Sequence, residues 1–203
     1  MVDKVNTLME KSMTIRAFLH SYITTDSFNQ QASRMGSQFD QVMVGVQKVS
    51  VLLEAWVGQF KDVLPEVFSH GSSAGEHAFP ITEMAEQSQY LMSEKEEILS
   101  SELSLSGSRA WSKLQGVVTS QKTVDFELDG EVKTLPMPAV INLHGHPKED
   151  VRKRAYQTEM EAWESVKEPL AASMNGIKGW VNTLNNHRGR KDPLHQPLDQ
   201  ARI

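Results

Sequence analysis

One apolar seam constrains this chain more than any other feature of its sequence. It recurs in alternating steps of four and three and comprises Phe28, Ala32, Met35, Phe39, Val42, Val46, Val49, Leu53, Trp56 and Phe60. This spacing predicts one helix about 50 Å long at about 1.5 Å per residue. Gly36, Gly45 and Gly58 each weaken that helix by about 1 kcal/mol relative to alanine, so packing against other elements must hold it.

The seam has two interpretations. A parallel coiled coil favours charged residues beside the seam, whereas the flanks here are Gln, Ser, Val and Gly. An antiparallel hairpin inside a helical bundle needs only the apolar stripe. We therefore interpret the seam as core of a bundle and not as a partner site.

Apolar spacing at helical period predicts further helices along the chain. They cover residues 2–22, 81–91, 94–103, 108–118 and 138–143, followed by a long helix or kinked pair from Pro147 to Gly189 that bends at Pro169. Ser93 and Glu96 have the spacing of a capping box. Residues 62–80, with the run from His70 to Gly75, predict a loop with one short helix, and residues 190–203 predict an extended connector.

A β-hairpin is predicted where the period changes to two, over residues 123–135. Two registers fit it. A two-residue Asp129-Gly130 turn places Leu128 opposite Glu131, whereas a three-residue loop places Leu128 opposite Val132. We favour the three-residue loop because it matches faces and charges better. The fold class is therefore mainly α, a multi-helix bundle of long antiparallel helices with one small hairpin.

Composition excludes several classes of function. The net charge is −5, which is no footprint for nucleic acid, and no run of 18 apolar residues predicts a membrane span. The sequence contains no cysteine, which excludes disulfides and thiolate metal sites. We expect a cytoplasmic protein with neither a nucleic-acid nor a membrane partner.

No catalytic motif appears in the sequence. The helical zinc-protease signature HExxH is absent, and Ser73 stands where the inverted form ending in Glu76-His77 needs a histidine. His144 and His146 lie in a predicted turn without a third ligand at a telling spacing, although a distant carboxylate could complete a zinc site. Ser106-Gly107-Ser108 makes no GxSxG elbow and predicts a helix start capped by Ser106 or Ser108. No catalytic, metal-ligating or substrate-binding residue is assigned.

Two charged clusters have ordinary structural interpretations. They comprise Glu94, Glu96 and Glu97 at a solvated helix start, and Arg188, Arg190 and Lys191 near a helix end. Gly71 and Gly75 are not followed by the GK[ST] sequence of a phosphate-binding loop. Trp163 lies one position off the main apolar stripe, which predicts that it faces a second layer or a cleft.

Four short motifs in the second half of the chain point to one family. They are GSRAW at 107–111, LDGE at 128–131, VRKRAY at 151–156, and Asn175 followed by IKGW at 177–180. In this order and spacing, the segment from about residue 89 onward resembles the N-terminal region of oligoendopeptidase F, a group of zinc metallopeptidases similar to thimet oligopeptidase. Residues 1–88 resemble the helical lead-in of the same family by layout more than by motif.

The resemblance implies a helical wall of a deep channel that admits short peptides. In the family, a separate C-terminal domain carries HExxH and a further glutamate ligand, and neither has a counterpart here. We therefore expect residues 1–90 to be an N-terminal helical segment, 91–189 the family-type domain, and 190–203 a connector toward a missing catalytic domain that binds zinc. This chain alone is expected to need no cofactor and to be inactive.

An alternative is a complete helical scaffold that binds peptides or proteins without catalysis. A fragment is expected to show an apolar face that the missing domain covers, and such a face could also support self-association. The expected partners are thus the chain's own catalytic domain and short peptides.

Overall fold

The computed structural model of the chain describes residues 2–69 and 73–203. Ten α-helices are described in this part of the chain: α1 Val2–Thr25, α2 Gln30–Gly58, α3 Leu64–Ser69, α4 Ala78–Gln87, α5 Glu94–Leu103, α6 Ser108–Gln121, α7 Met137–Asn142, α8 Glu149–Glu164, α9 Lys167–His187 and α10 His195–Ala201. Short 3-10 turns cover Lys61–Val63, Gly75–His77, Ser88–Tyr90 and Leu143–Gly145. The mainly α class with one small hairpin is confirmed.

Local sequence signals start and stop several of these helices as expected. Ser93 accepts a hydrogen bond from the Glu96 amide while the Glu96 carboxylate accepts one from the Ser93 amide, which completes the capping box of α5. Asn29 caps α2 by accepting from the Ala32 amide at 2.9 Å. These side chains occupy orphan amides at the helix starts, which is why local sequence locates them well.

Other local predictions are corrected. The long helix breaks after Glu164 and not at Pro169, because Pro169 lies in the first turn of α9, where its missing N–H is not needed. Gly107 caps α6, and neither Ser106 nor Ser108 does so. The predicted extended connector contains a helix, α10, over His195–Ala201. Residues 62–80 are predicted to form a loop with one short helix, but most of those described are helical. His70, Gly71 and Ser72 lie outside the described residues.

The hairpin joins β1 (Thr123–Leu128) to β2 (Glu131–Pro136) through a two-residue turn. Leu128 pairs with Glu131, so the favoured three-residue loop is wrong. Asp129 and Gly130 both have positive φ, 54° and 85°, as a type I′ turn requires. This turn twists with the strands, and that geometric match outweighs the poorer pairing of side chains.

Two small cores hold the chain together. In one, Phe126 of β1 packs with Val140 of α7 and with Val151 and Ala155 of α8. In the other, Val57 of α2 packs with Leu64 and Ala85 at the start of α3 and in α4.

The predicted seam is only half core. Ala32 is buried and Phe39, Val46 and Leu53 are half-buried. The residues four positions before each of these, together with the last pair of the seam, are exposed: Phe28, Met35, Val42, Val49, Trp56 and Phe60. The interpretation of the whole seam as core is therefore wrong. Only one of its two rows faces the neighbouring helices.

The four motifs meet in two pairs. A Cβ on Gly107 would lie 2.7 Å from the Trp180 ring, and a Cβ on Gly176 would lie 2.5 Å from Nε1 of Trp111. The tryptophan of each helix therefore packs on a glycine of the other, which brings α6 and α9 close together. In the second pair, Arg154 of α8 donates to the Glu127 carbonyl at 2.8 Å, just before the LDGE turn.

Candidate functional site

A polar groove of about 590 Å³ is the candidate site in the described part of the chain. It lies among α2, α4, α5, the end of α9 and α10, and a smaller cavity of about 270 Å³ adjoins it, sharing Gln47, Arg188 and Gln196. Its charged and aromatic lining consists of Glu54, Glu83, Tyr90, Glu97, Arg188, Arg190, Asp199 and Arg202. We call this feature the polar groove.

A buried ion pair forms one side of the polar groove. Glu97, in the first turn of α5, is 1% exposed and accepts two hydrogen bonds from Arg188, at 2.9 Å from Nε and 2.7 Å from Nη2. The Met92 amide donates to the same carboxylate at 3.2 Å. The prediction that Glu97 belongs to a solvated helix start is therefore wrong. Its bidentate geometry is the strongest arrangement available to an arginine and a carboxylate.

Arg190 also lines the polar groove. The chain reaches it through Gly189, whose φ of 69° ends α9 in the left-handed region. Its guanidinium lies 3.7 Å from the centre of the Tyr90 ring and donates at 2.5 Å to both Asp199 and Gln87. Arg188 and Arg190 lie at the end of α9, as the sequence predicts, and each is also paired with a carboxylate of another element.

Glu54 is the groove's unmatched acid. Arg188, Arg190 and Arg202 pair with Glu97, Asp199 and Glu83. Glu54 forms no ion pair within the described residues. Burial raises the pKa of the Glu54 carboxyl and the Glu97 carboxylate raises it further, while Arg188 and Arg190 act in the opposite direction. The groove therefore carries one excess negative charge when Glu54 is ionised.

Replacing Glu54 should make stability less sensitive to pH. The pKa of Glu54 is higher in the folded chain than in the unfolded one, so ionisation opposes folding. Protonated Glu54 therefore stabilises the folded wild type at pH values below the pKa that Glu54 has in the unfolded chain. This stabilisation is lost as the pH rises through the pKa of Glu54 in the folded chain. We expect the unfolding free energy of Glu54→Gln minus that of wild type to rise over that interval and then level off. Urea titrations at a series of pH values measure this difference, and a flat or falling difference contradicts the assignment.

The smaller cavity is lined by uncharged donors as well as by arginines. Ser100, Ser104 and Ser108 line it together with Trp180 and Asn185. Asn185 is 3% exposed, and its side-chain nitrogen has no hydrogen-bond partner in the described part of the chain. A polar ligand group reaching this cavity would meet hydroxyl and amide donors and acceptors.

The histidines considered from sequence do not converge. His144 Nε2 lies 3.1 Å from Glu159 Oε2, whereas His146 Nδ1 accepts from the Lys148 amide at 3.2 Å. The described residues contain no group of three His, Asp or Glu side chains that could hold a metal ion. Trp163 is half-buried and donates to Glu159 at 2.9 Å, so it belongs to the His144 cluster and does not line the polar groove.

The residues that build the polar groove were missed by sequence reasoning. Glu97 and Arg188 are 91 positions apart, and no local pattern pairs them. A weak signal was present, because Glu97 precedes Ser100, Ser101 and Ser104, a run of small residues that suits a close helix contact around a buried charge.

Comparison with known proteins identifies the fold. The chain matches over its whole length a crystal structure of oligoendopeptidase-F from Enterococcus faecium, with a TM-score of 0.83 and 15% sequence identity. The chain has the fold of one part of that oligoendopeptidase-F structure. The chain spans 39% of that solved oligoendopeptidase-F chain. No protein-family model matches the sequence, and the search of curated proteins finds no significant match.

The oligoendopeptidase-F resemblance expected from four motifs is thus confirmed at the level of fold. The match also includes residues 1–88, where motifs were weak and the expectation depended on helix layout. None of the helices described is long and apolar enough to cross a membrane.

Proposed function

We propose that this chain is the non-catalytic part of a zinc-dependent oligoendopeptidase and forms one wall of its peptide channel. The observation that carries the proposal is the match of the entire chain to 39% of an oligoendopeptidase-F chain at a TM-score of 0.83. A segment of that size with this fold suits a wall domain to which a further domain adds the chemistry.

The polar groove is the surface we assign to the peptide. Four glutamines line it, namely Gln47, Gln87, Gln196 and Gln200. Gln87 is already bound to Arg190 and Asp199, so we assign contacts with the peptide main chain to the amides of Gln196 and Gln200, which can both donate and accept. Glu54 supplies a carboxylate that suits the ammonium group of a short peptide. The groove is open and polar, as sites for varied short peptides need to be.

Zinc and the catalytic base are assigned to a separate domain. The residues of this chain do not fit a zinc site, because HExxH is absent from the sequence and His144 and His146 bind different partners. In the proposal, this chain orients the peptide and the other domain cleaves it. The reading frame downstream of codon 203 is expected to encode HExxH.

The test measures binding and hydrolysis separately on the 203-residue chain. A mixture of quenched fluorescent short peptides with free N-termini is added with and without zinc. We expect binding without hydrolysis in both conditions, weaker binding by Glu54→Gln, and unchanged binding by Glu131→Gln, an exposed acid at the hairpin turn. Blocking the peptide N-terminus by acetylation should reproduce the loss caused by Glu54→Gln.

Three outcomes overturn parts of the proposal. Zinc-dependent hydrolysis by this chain alone contradicts the non-catalytic assignment. Failure to bind any peptide contradicts the wall assignment. Peptide binding together with a reading frame that stops after Ile203 replaces the proposal with the stand-alone scaffold.

A further inference from the structure

An exposed apolar row begins at Phe28, in the turn before α2, and follows α2 from Met35 to Trp56. Phe28, Met35, Val42, Val49 and Trp56 repeat every seven residues and are between 47% and 67% exposed. We call these five residues the outer row. Residues seven apart lie within about 20° of one another around a helix, so the row forms one continuous stripe. Single exposed apolar residues are ordinary on a protein surface, but a stripe of this length marks an interaction surface.

The outer row lacks charge on the flank that precedes it by four residues. That flank consists of Gln31, Gln38, Gly45 and Leu52. Three of the four charged residues of α2 turn to the chain's own elements: Asp40 pairs with Arg109, Lys48 with Glu102, and Glu54 lies in the polar groove. The fourth, Arg34, is exposed. Depletion of charge at the centre of a surface is typical of one that becomes buried.

Gly45 lies at the middle of this flank and, like Gly116 and Gly179, has no close contact inside the chain. A Cβ on Gly36 would touch Ile23 and one on Gly58 would collide with Ser88, whereas a Cβ on Gly45 would meet nothing within 4 Å. A glycine inside a helix is unfavourable relative to alanine. A second helix that approaches closely at Gly45 would explain its presence.

We propose that the outer row is the interface of a two-fold symmetric homodimer in which α2 packs antiparallel to α2 of a second copy. A two-fold axis beside Gly45 and Val46 places Val42 against Val49 of the second copy. It also places Met35 against Trp56, a thioether beside an indole ring. The small valine side chains therefore meet near the centre of the interface, and the longer methionine and tryptophan side chains meet toward its ends.

The available area suits a dimer. The outer row with the exposed Leu52, Phe60 and Val63 offers on the order of 700 Å² of apolar surface, close to the roughly 800 Å² per partner of a stable interface. α1 carries a second exposed row at the same spacing, Leu8, Ile15 and Tyr22, so the hairpin of α1 and α2 resembles half of a four-helix bundle. This match between the available area and the area that each partner of a stable dimer buries is why we assign a second copy.

The test is the oligomeric state of the 203-residue chain by analytical ultracentrifugation over a range of concentrations. We expect a reversible monomer–dimer equilibrium for the wild type. Val42→Glu and Val49→Glu should each weaken dimerisation about a hundredfold, because symmetry buries two unpaired carboxylates. Val132→Glu in the hairpin is the matched control, since Val132 is 70% exposed, beside 66% for Val42 and 65% for Val49.

A substitution at Gly45 distinguishes a dimer interface from a helix that is only exposed to solvent. Gly45→Leu should raise the melting temperature of the monomer, because leucine favours helix, and should also abolish dimerisation by blocking close approach. The proposal is overturned by a wild type that stays monomeric, or by a dimer that survives Val42→Glu and Gly45→Leu. A chain that remains monomeric but buries Trp56 when joined to a further domain would assign the outer row to that domain instead.

Discussion

Arg188→Met should lower the free energy of unfolding by about 3–5 kcal/mol, the largest effect expected of any single substitution in this chain. The change leaves Glu97, which is 1% exposed, without its cation and with only the Met92 amide as a donor. A buried carboxylate without a counter-ion carries a large desolvation cost. Urea unfolding followed by circular dichroism at neutral pH measures the loss.

The double variant Glu97→Leu/Arg188→Met tests whether the loss comes from the unpaired charge of Glu97. Removing both charges leaves no uncompensated ion, so the double variant should be more stable than Arg188→Met alone. Arg202→Met is the matched control, because Arg202 also pairs with a carboxylate, Glu83, but is 64% exposed, and we expect a loss of only about 0–1 kcal/mol. Equal losses for Arg188→Met and Arg202→Met would show that burial of Glu97 is not what matters.

Gly176→Ala should lower the free energy of unfolding by about 1–3 kcal/mol, the usual range for overpacking a close contact. The new Cβ would lie 2.5 to 2.6 Å from three atoms of the Trp111 ring. Relief requires the whole indole or the helix axis to shift, because these atoms belong to one rigid ring. Near-UV circular dichroism should change together with stability, since the packing of Trp111 is altered.

Gly179→Ala, three residues further along α9, is the control. A Cβ at Gly179 meets nothing within 4 Å, so the helix should gain up to about 1 kcal/mol. Trp111→Leu combined with Gly176→Ala should cost less than the sum of the two single changes, because the smaller side chain leaves room for the methyl group. Additive losses would contradict the packing of Trp111 on Gly176.

These two contacts matter for function because they position the polar groove. Packing of α6 on α9 fixes the direction of α9, and Arg188 and Arg190 follow directly after that helix. We therefore expect Gly176→Ala to reduce peptide binding together with stability.

The sequence by itself determined most of the secondary structure and the fold family it resembles. Ser93 and Glu96 located the start of α5, since a capping box acts within one turn. Alternation from Val124 to Leu128 located the hairpin, because side chains of a strand alternate between its two faces. Short motifs were sufficient for the resemblance because they mark glycine–tryptophan contacts and a tight turn, where few residue types fit.

Only the tertiary structure decided which apolar and charged side chains of each helix became buried against other elements. The seam from Phe28 to Phe60 is compatible with full burial, yet α2 buries one row against α1, α4 and α5 and exposes the other. The same holds for charge: Glu97 and Arg188 appear in sequence as ordinary helix-end residues, and their pairing depends on how α5 meets the end of α9. Local periodicity specifies an amphipathic face, but the number and direction of neighbouring helices specify how much of that face is covered.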